Sequence, residues 1–307
     1  MIIRFPESTM RQVKSVVVNN RTDLLYTTAW ATIVYVLHNY AGIEGVEVPT
    51  TAVALQGSAL AIILGFRNNS AYDRWWEARK IWGGVVNVSR SFSATFLAAT
   101  PDLSADERRR VVYRHLAYIN AVRIQLRERP DEWVDIEPFL EADELETIER
   151  AKNRATQLAS TQAVAMSDLK RRGVVDAFDH KKLVEYIERM YDLQGMAERI
   201  KKTVFPAFYD YFTHVFLLLF VVTLPLGLVK DMGWHAIPLC VAISFVFAIL
   251  EKTARASEDP LDARSSGTPM GALCRVIEID LRQMLGETEL PLPWAVKTTR
   301  HGSTFLD

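Results

Sequence analysis

Cysteine is scarce: Cys240 and Cys274 are the only two in 307 residues, far apart and in unlike settings. That excludes a disulfide framework and a cysteine-rich zinc module. An excess of one charge is missing too. The 36 Lys and Arg are set against 37 Asp and Glu, for a net charge of −1, which supports neither a basic nucleic-acid surface nor a charged disordered chain. The six histidines show no HExxH spacing, and there is no Walker loop, Gly-rich dinucleotide turn or nucleophile with an evident base. Catalytic residues, a metal site, a cofactor and a nucleic-acid partner are therefore not expected. The chain opens Met1-Ile-Ile-Arg-Phe-Pro-Glu-Ser and stays polar to about residue 24, without the basic start and apolar run of a cleaved signal. Internal repeats and low-complexity tracts are also lacking.

What is present is segregation. Four stretches are nearly free of charge: Leu24 to Ile43, Val48 to Phe66, Tyr211 to Val229 and Met232 to Leu250, of 20, 19, 19 and 19 residues. A helix needs about 20 residues to cross a bilayer core. The second pair is strongly apolar. The first pair carries Thr27, Thr28, Thr32, Thr50, Thr51, Gln56 and Ser58, which suits helices facing protein or water. Arg4, Arg11, Lys14 and Arg21 precede the first stretch, and Arg67, Arg74, Arg79 and Lys80 follow the second. Lys201 and Lys202 precede the third, and Lys252 and Arg255 follow the fourth, while the connecting loops hold a single Lys. The positive-inside rule then predicts a multi-pass protein of the cell membrane with both termini and the long middle in the cytoplasm. Against this stands a soluble helical protein with unusually apolar core helices.

The chain accordingly divides into 1–22, an N-terminal cytosolic segment; 23–98, spans one and two; 99–205, a cytosolic helical region; 206–252, spans three and four; and 253–307, a C-terminal cytosolic segment. Ser104-Ala-Asp-Glu107 reads as a capping box before an amphipathic run through Val111, Leu116, Ile119 and Leu126. Pro130 ends that helix, and further helices are predicted from Pro138 to Lys170 and from Asp179 to Lys202, parted at Gly173. The acids between Glu128 and Glu149 fit a solvated helix face or a cation site, the former being the commoner case. Pro225 with Gly227 is expected to bend or end span three, and Pro238 to act early in span four.

Span two carries the most specific signal. Thr50 to about Leu97 holds no proline, so one helix of about 70 Å can leave the bilayer and continue beyond it. At its midpoint stands Gly65-Phe-Arg-Asn-Asn-Ser-Ala-Tyr-Asp-Arg-Trp-Trp-Glu-Ala-Arg-Lys-Ile-Trp-Gly-Gly84. This run resembles the bestrophin family, whose bacterial members carry a GFRN-x-x-AY-x-R-(aromatic)2-EAR-x-x-W-G stretch in the second span. Gln194-Gly-Met-Ala-Glu-Arg-Ile-Lys-Lys-Thr203 with Phe205-Pro206 is similar to the family's second block, and Glu258-Asp-Pro260 to the turn after its fourth span. With the four spans and helical insert, the resemblance covers nearly the whole chain. It implies an all-α membrane protein, a homopentameric ion channel with a central pore, lined at its neck by the second spans.

Ser58, Ile62 and Phe66 are spaced i, i+4, i+8 and stack on one helix face. By resemblance they are the neck, and rings of Ile and Phe would form an apolar gate that closes by dewetting. Packing against a neighbouring helix is the alternative. The family usually has a branched aliphatic residue where Ser58 stands, so the neck here is expected to open more easily. Below it, Asn68, Asn69, Asp73, Arg74, Trp75, Trp76 and Glu77 read as a belt joining neck to cytosolic bundle, with Arg74 and Glu77 spaced for an intrahelical pair. Asp73 and Glu77 could attract cations. The resemblance puts a second constriction at Phe178, with Val174, Val175 or Lys181 one turn away, and the 258–267 stretch lacks the consecutive Asp residues of a calcium clasp. No charged residue lies near a span centre, which favours an oligomeric pore for small monovalent ions, chloride or sodium and potassium, over a secondary transporter. A membrane scaffold without a pore is the third reading.

Overall fold

The computed structural model describes residues 2–4, 14, 16–41, 47–203, 207–263, 267–298 and 304–305. Arg11, the loop residues 44–46, the Phe205-Pro206 step and residues 264–266 lie outside them. Nine α-helices are described here: α1 (Arg21–Asn39), α2 (Thr50–Ala99), α3 (Ala105–Arg127), α4 (Ala142–Glu149), α5 (Arg154–Arg171), α6 (Ala177–Lys202), α7 (Ala207–Met232), α8 (Ala236–Ala256) and α9 (Met270–Met284). Three short strands, β1 (Ile2–Arg4), β2 (Lys297–Thr298) and β3 (Thr304–Phe305), join the two ends of the chain in an antiparallel sheet of order β1-β3-β2. The architecture is all-helical as expected, with these strands a small addition at the chain ends. Strands of two or three residues are too short to show the alternation by which a strand is read from sequence.

α2 organises the molecule. It runs 50 residues unbroken, about 75 Å at 1.5 Å per residue. Its first half packs on α7 and α8, while α1 packs on the far side of α7 and α8. Leu60, Leu64, Phe220, Leu224 and Cys240 form the heart of this apolar bundle. Two glycines permit the close approach. A Cβ at Gly57 would meet the Phe220 ring at 2.9 Å, and one at Gly227 would meet Val53 Cγ2 at 2.7 Å. Pro225 does not end α7, which continues to Met232. Neighbouring segments occupy carbonyls around it: the Trp30 indole donates to Val222 O at 3.0 Å, Val48 N to Leu226 O at 3.3 Å, and Thr50 Oγ1 to Gly227 O at 2.8 Å. Pro238 falls in the first turn of α8, where a missing N–H costs nothing.

The second half of α2 enters a polar-surfaced bundle with α3, α5, α6 and α9. Trp82, Phe92 and Phe96 are wholly buried there. Ser104 opens α3 as its Oγ accepts from Glu107 N at 3.2 Å, and Glu128 closes it in the left-handed region at φ 54°. From Val111 to Leu126 α3 is buried on nearly every side, the mark of a central helix. It nevertheless carries buried Arg114, His115, Asn120 and Arg123. The expected solvated face holds for most of the acids between Glu128 and Glu149, which are exposed, but several of them also serve α3. Arg123 Nη1 and Nη2 bond Glu132 at 2.5 Å and Asp135 at 2.7 Å, Arg114 pairs with Glu144, and Arg110 with Glu141. The acidic stretch supplies counter-charges to α3, as a buried guanidinium requires.

The helix predicted from Pro138 to Lys170 is in fact two. α4 ends at Glu149, and Asn153 caps α5 by accepting from Thr156 N at 3.0 Å, an alternative partner that an Asn side chain offers the backbone. Gly173, at φ 74°, makes the turn before α6, and the Asp176 carboxylate caps that helix from Asp179 N at 2.7 Å.

Candidate functional site

The apolar half of α2 has one packed face and one bare face. Val53, Leu60, Leu64 and Arg67 are buried against the bundle. Ser58, Ile62 and Phe66 stand on the other side, the last two 61% and 73% exposed within the chain. Leu55, one turn before Ser58, is equally bare. The Ser58 hydroxyl donates to Ala54 O at 2.9 Å, so it presents lone pairs rather than its proton to whatever runs along that face.

Immediately below, the three sequence blocks quoted above meet in space. Arg67, only 2% exposed, donates to Glu258 from Nε at 3.0 Å and from Nη2 at 2.5 Å, with Glu251 at 3.8 Å from its Nη1. Arg74 donates to three carbonyls: Glu258 O at 3.2 Å, Thr203 O at 2.5 Å and Ile200 O at 3.0 Å. Lys201 Nζ reaches Asp259 at 2.6 Å, and the Asn68 amide reaches Leu250 O at 3.1 Å. The expected Arg74–Glu77 pair is not formed. Arg74 satisfies the unpaired carbonyls at the end of α6, as helix C-termini demand, and Glu77 pairs instead with Lys80 at 2.6 Å.

The remaining predicted residues divide by side. Asn69, Asp73 and Trp76 are exposed on the same side of the helix as Phe66, while Trp75 lies half-buried, ring centroid 6.1 Å from Trp76. Phe178, at the start of α6, is 86% exposed. Of the residues one turn away, Val175 is buried and Lys181 exposed, so Val175 cannot line an opening. Among the described residues, no group of three or more His, Cys, Asp or Glu side chains has a metal-holding arrangement. Both cysteines are buried thiols, and burial pushes Cys274 up to about 12. Sequence reasoning missed Glu251 and Glu258 as partners of Arg67, because contacts 184 or more residues apart leave no local spacing to read.

Two helical stretches, Thr50–Ala99 and Tyr211–Ala256, are long and apolar enough to cross a membrane. The second includes both α7 and α8 joined by a tight turn at Gly233–His235. Only 22% and 39% of their most apolar windows are buried within the chain, whereas a soluble protein's core helix would be covered on most sides.

A family model described as "Bacterial/Fungal Bestrophin protein" matches residues 4–283. A voltage-dependent anion channel-forming protein of Mesorhizobium japonicum is 34% identical over 238 residues, 77% of this chain and 75% of that one. The voltage-dependent anion channel-forming protein YneE of Escherichia coli is 30% identical over 247 residues, 80% of each chain. A crystal structure of a bacterial bestrophin homologue from Klebsiella pneumoniae superposes with a TM-score of 0.82 at 25% identity, covering 87% of this chain and 98% of that one. The chain belongs to the bacterial and fungal bestrophin family.

Proposed function

We propose that this protein is a bestrophin-type channel of the cell membrane, through which small monovalent ions flow passively. α1, α2, α7 and α8 are its four spans, and five copies surround a pore whose neck is built from Ser58, Ile62 and Phe66. The observation that carries this reading is the bare face of α2. Two large apolar side chains a turn apart are left uncovered on a helix whose opposite side is tightly packed. A ring of copies covers that face without burying it in lipid and yields an apolar constriction that conducts when wetted. The positive flanks support a topology with the α3–α6 bundle, α9 and both chain ends in the cytoplasm.

Chloride and other small anions are the permeant ions by analogy with the relatives named anion channel-forming. One specific observation favours monovalent cations as the second reading. Arg67 and Arg74 are drawn into the packed junction, while the Asp73 carboxylate stays exposed on the Phe66 side, and Ser58 offers lone pairs. Ions below the neck then meet the Asp73 carboxylate first, while Lys80, two turns further on, is engaged by Glu77 at 2.6 Å. Purified protein in a planar bilayer under an asymmetric NaCl gradient decides between them. A reversal potential near that of chloride supports the anion channel, and one near that of sodium the cation channel. No current, even with Ile62 and Phe66 both changed to alanine, would sink the pore.

A further inference from the structure

On the side of α7 and α8 away from α2, helices α1, α7 and α8 enclose an apolar groove of about 340 Å³. Leu24, Trp30, Leu218, Val222, Phe245 and Ala248 line it. The Trp30 N–H is already used on Val222 O, so the walls are greasy. Ser244 on this lining is 4% exposed, and among the described residues its Oγ has no hydrogen-bond partner. A buried hydroxyl without a partner is costly, and an apolar cavity of this size facing hydrocarbon is not left to water. One end of the groove carries Asp23 and Lys252, 2.5 Å apart and nearly half exposed, together with the buried Glu251, whose charge is met by Arg255 at 2.6 Å.

We propose that this groove holds a membrane phospholipid with a zwitterionic head, one acyl chain lying between α1, α7 and α8. This rests on the reading that these helices span the bilayer. Ser244 donates its hydroxyl to the lipid's ester region. The phosphate is taken by Lys252 and the ammonium by Asp23. Charge complementarity selects the head. A half-exposed ion pair is held weakly, so it exchanges for a phosphate and an ammonium with no net charge left over. An anionic head without an ammonium would engage Lys252 and offer the Asp23 carboxylate no cationic group in exchange.

The test is native mass spectrometry of the full-length protein in mild detergent, offered phosphatidylethanolamine and phosphatidylglycerol at equal concentration. The expected result is about one phosphatidylethanolamine retained per chain, favoured about tenfold over phosphatidylglycerol. Ala248→Phe fills the groove and is expected to lower retention about tenfold. The double variant Asp23→Asn with Lys252→Gln alters only half-exposed side chains, so it folds, and it is expected to lose the preference between the two heads. Equal retention of both lipids by the unmodified protein, retention of detergent alone, or unchanged retention in Ala248→Phe would each overturn the proposal. Alkaline carbonate extraction of cell membranes separates the two readings. A chain that stays in the membrane fraction yet keeps no lipid overturns the groove alone, whereas a chain released by carbonate overturns the membrane reading with it.

Discussion

Above Ala71, α2 leaves Leu55, Ile62 and Phe66 uncovered; below Ala78 the same helix buries Trp82, Phe92 and Phe96 completely. Both stretches are rich in large apolar side chains, so composition alone does not separate them. What differs is the supply of partners. The lower half is wrapped by α3, α6 and α9 from its own chain, and a Cβ at Gly84 would already meet Leu193 at 2.8 Å. The upper half has α7 and α8 on one side and, among the described residues, nothing from this chain on the other. An apolar face that the chain does not cover is kept for another molecule. Between the halves, Arg67 and Arg74 fasten α2 to the ends of α8 and α6, so the bare face is held by a rigid clamp directly beneath it.

The largest contrast is expected from truncating aromatics in the two halves. Trp82→Ala removes a wholly buried side chain and should destabilise the lower bundle by about 3–5 kcal/mol in thermal unfolding. Phe66→Ala removes a side chain that is mostly exposed within the chain, and in the same full-length protein should change the stability of the lower bundle by less than about 0.5 kcal/mol. Comparable losses at both sites would erase the distinction.

Next comes the clamp. Arg67→Leu strips the buried partner from Glu258 and from nearby Glu251, and removing one member of a buried pair costs about 3–5 kcal/mol. Glu258→Gln in the same chain should recover part of that loss, measured as a double-mutant cycle in detergent-solubilised protein. Additive losses would mean that the two groups do not act as a pair.

Acid should separate the halves as well. His115 lies buried in the lower bundle, 5.3 Å from the Phe92 ring, and desolvation lowers it from 6.5 to about 3. Above pH 6.5 neither the folded nor the unfolded chain carries a proton there, and the full stability is present. As pH falls from 6.5 toward 3, the unfolded chain gains a proton that the folded one excludes. Stability therefore drops, by up to about 1.4 kcal/mol per pH unit. His115→Phe should flatten the unfolding midpoint between pH 6.5 and 5, and an unchanged slope in that variant would assign the acid sensitivity elsewhere. The smallest effect is at the α3 cap. Ser104→Ala removes the acceptor for Glu107 N and should cost about 1 kcal/mol in the same assay, without altering ion flux.

Much of this arrangement could be read from residue order. The absence of proline from residues 50–97 gave the length of α2 within two residues, and the i, i+4, i+8 spacing put Ser58, Ile62 and Phe66 on one side of it. These are local properties of one helix. The partners of Arg74 were misread because an i, i+3 acid is visible in sequence, whereas the carbonyls of Ile200 and Thr203 are not. The second role of Glu132, Asp135 and Glu144 was missed for a related reason: a run of charge shows its solvated face in sequence, but not that Arg114 and Arg123 lie buried beneath it. The groove beside Ser244 was also invisible, since it joins α1 to α7 and α8 across the whole of α2 and the polar bundle in sequence.

The central claim is that the uncovered face of α2 lines the ion path. The direct measurement is single-channel current in planar bilayers of the Ile62→Ala/Phe66→Ala variant beside the unmodified protein at the same salt and voltage. Widening an apolar neck removes the dewetting barrier, so the account predicts a larger unitary current or a markedly higher open probability in the variant. An unaltered conductance and open probability, in a variant that folds and inserts normally, would place the ion path elsewhere.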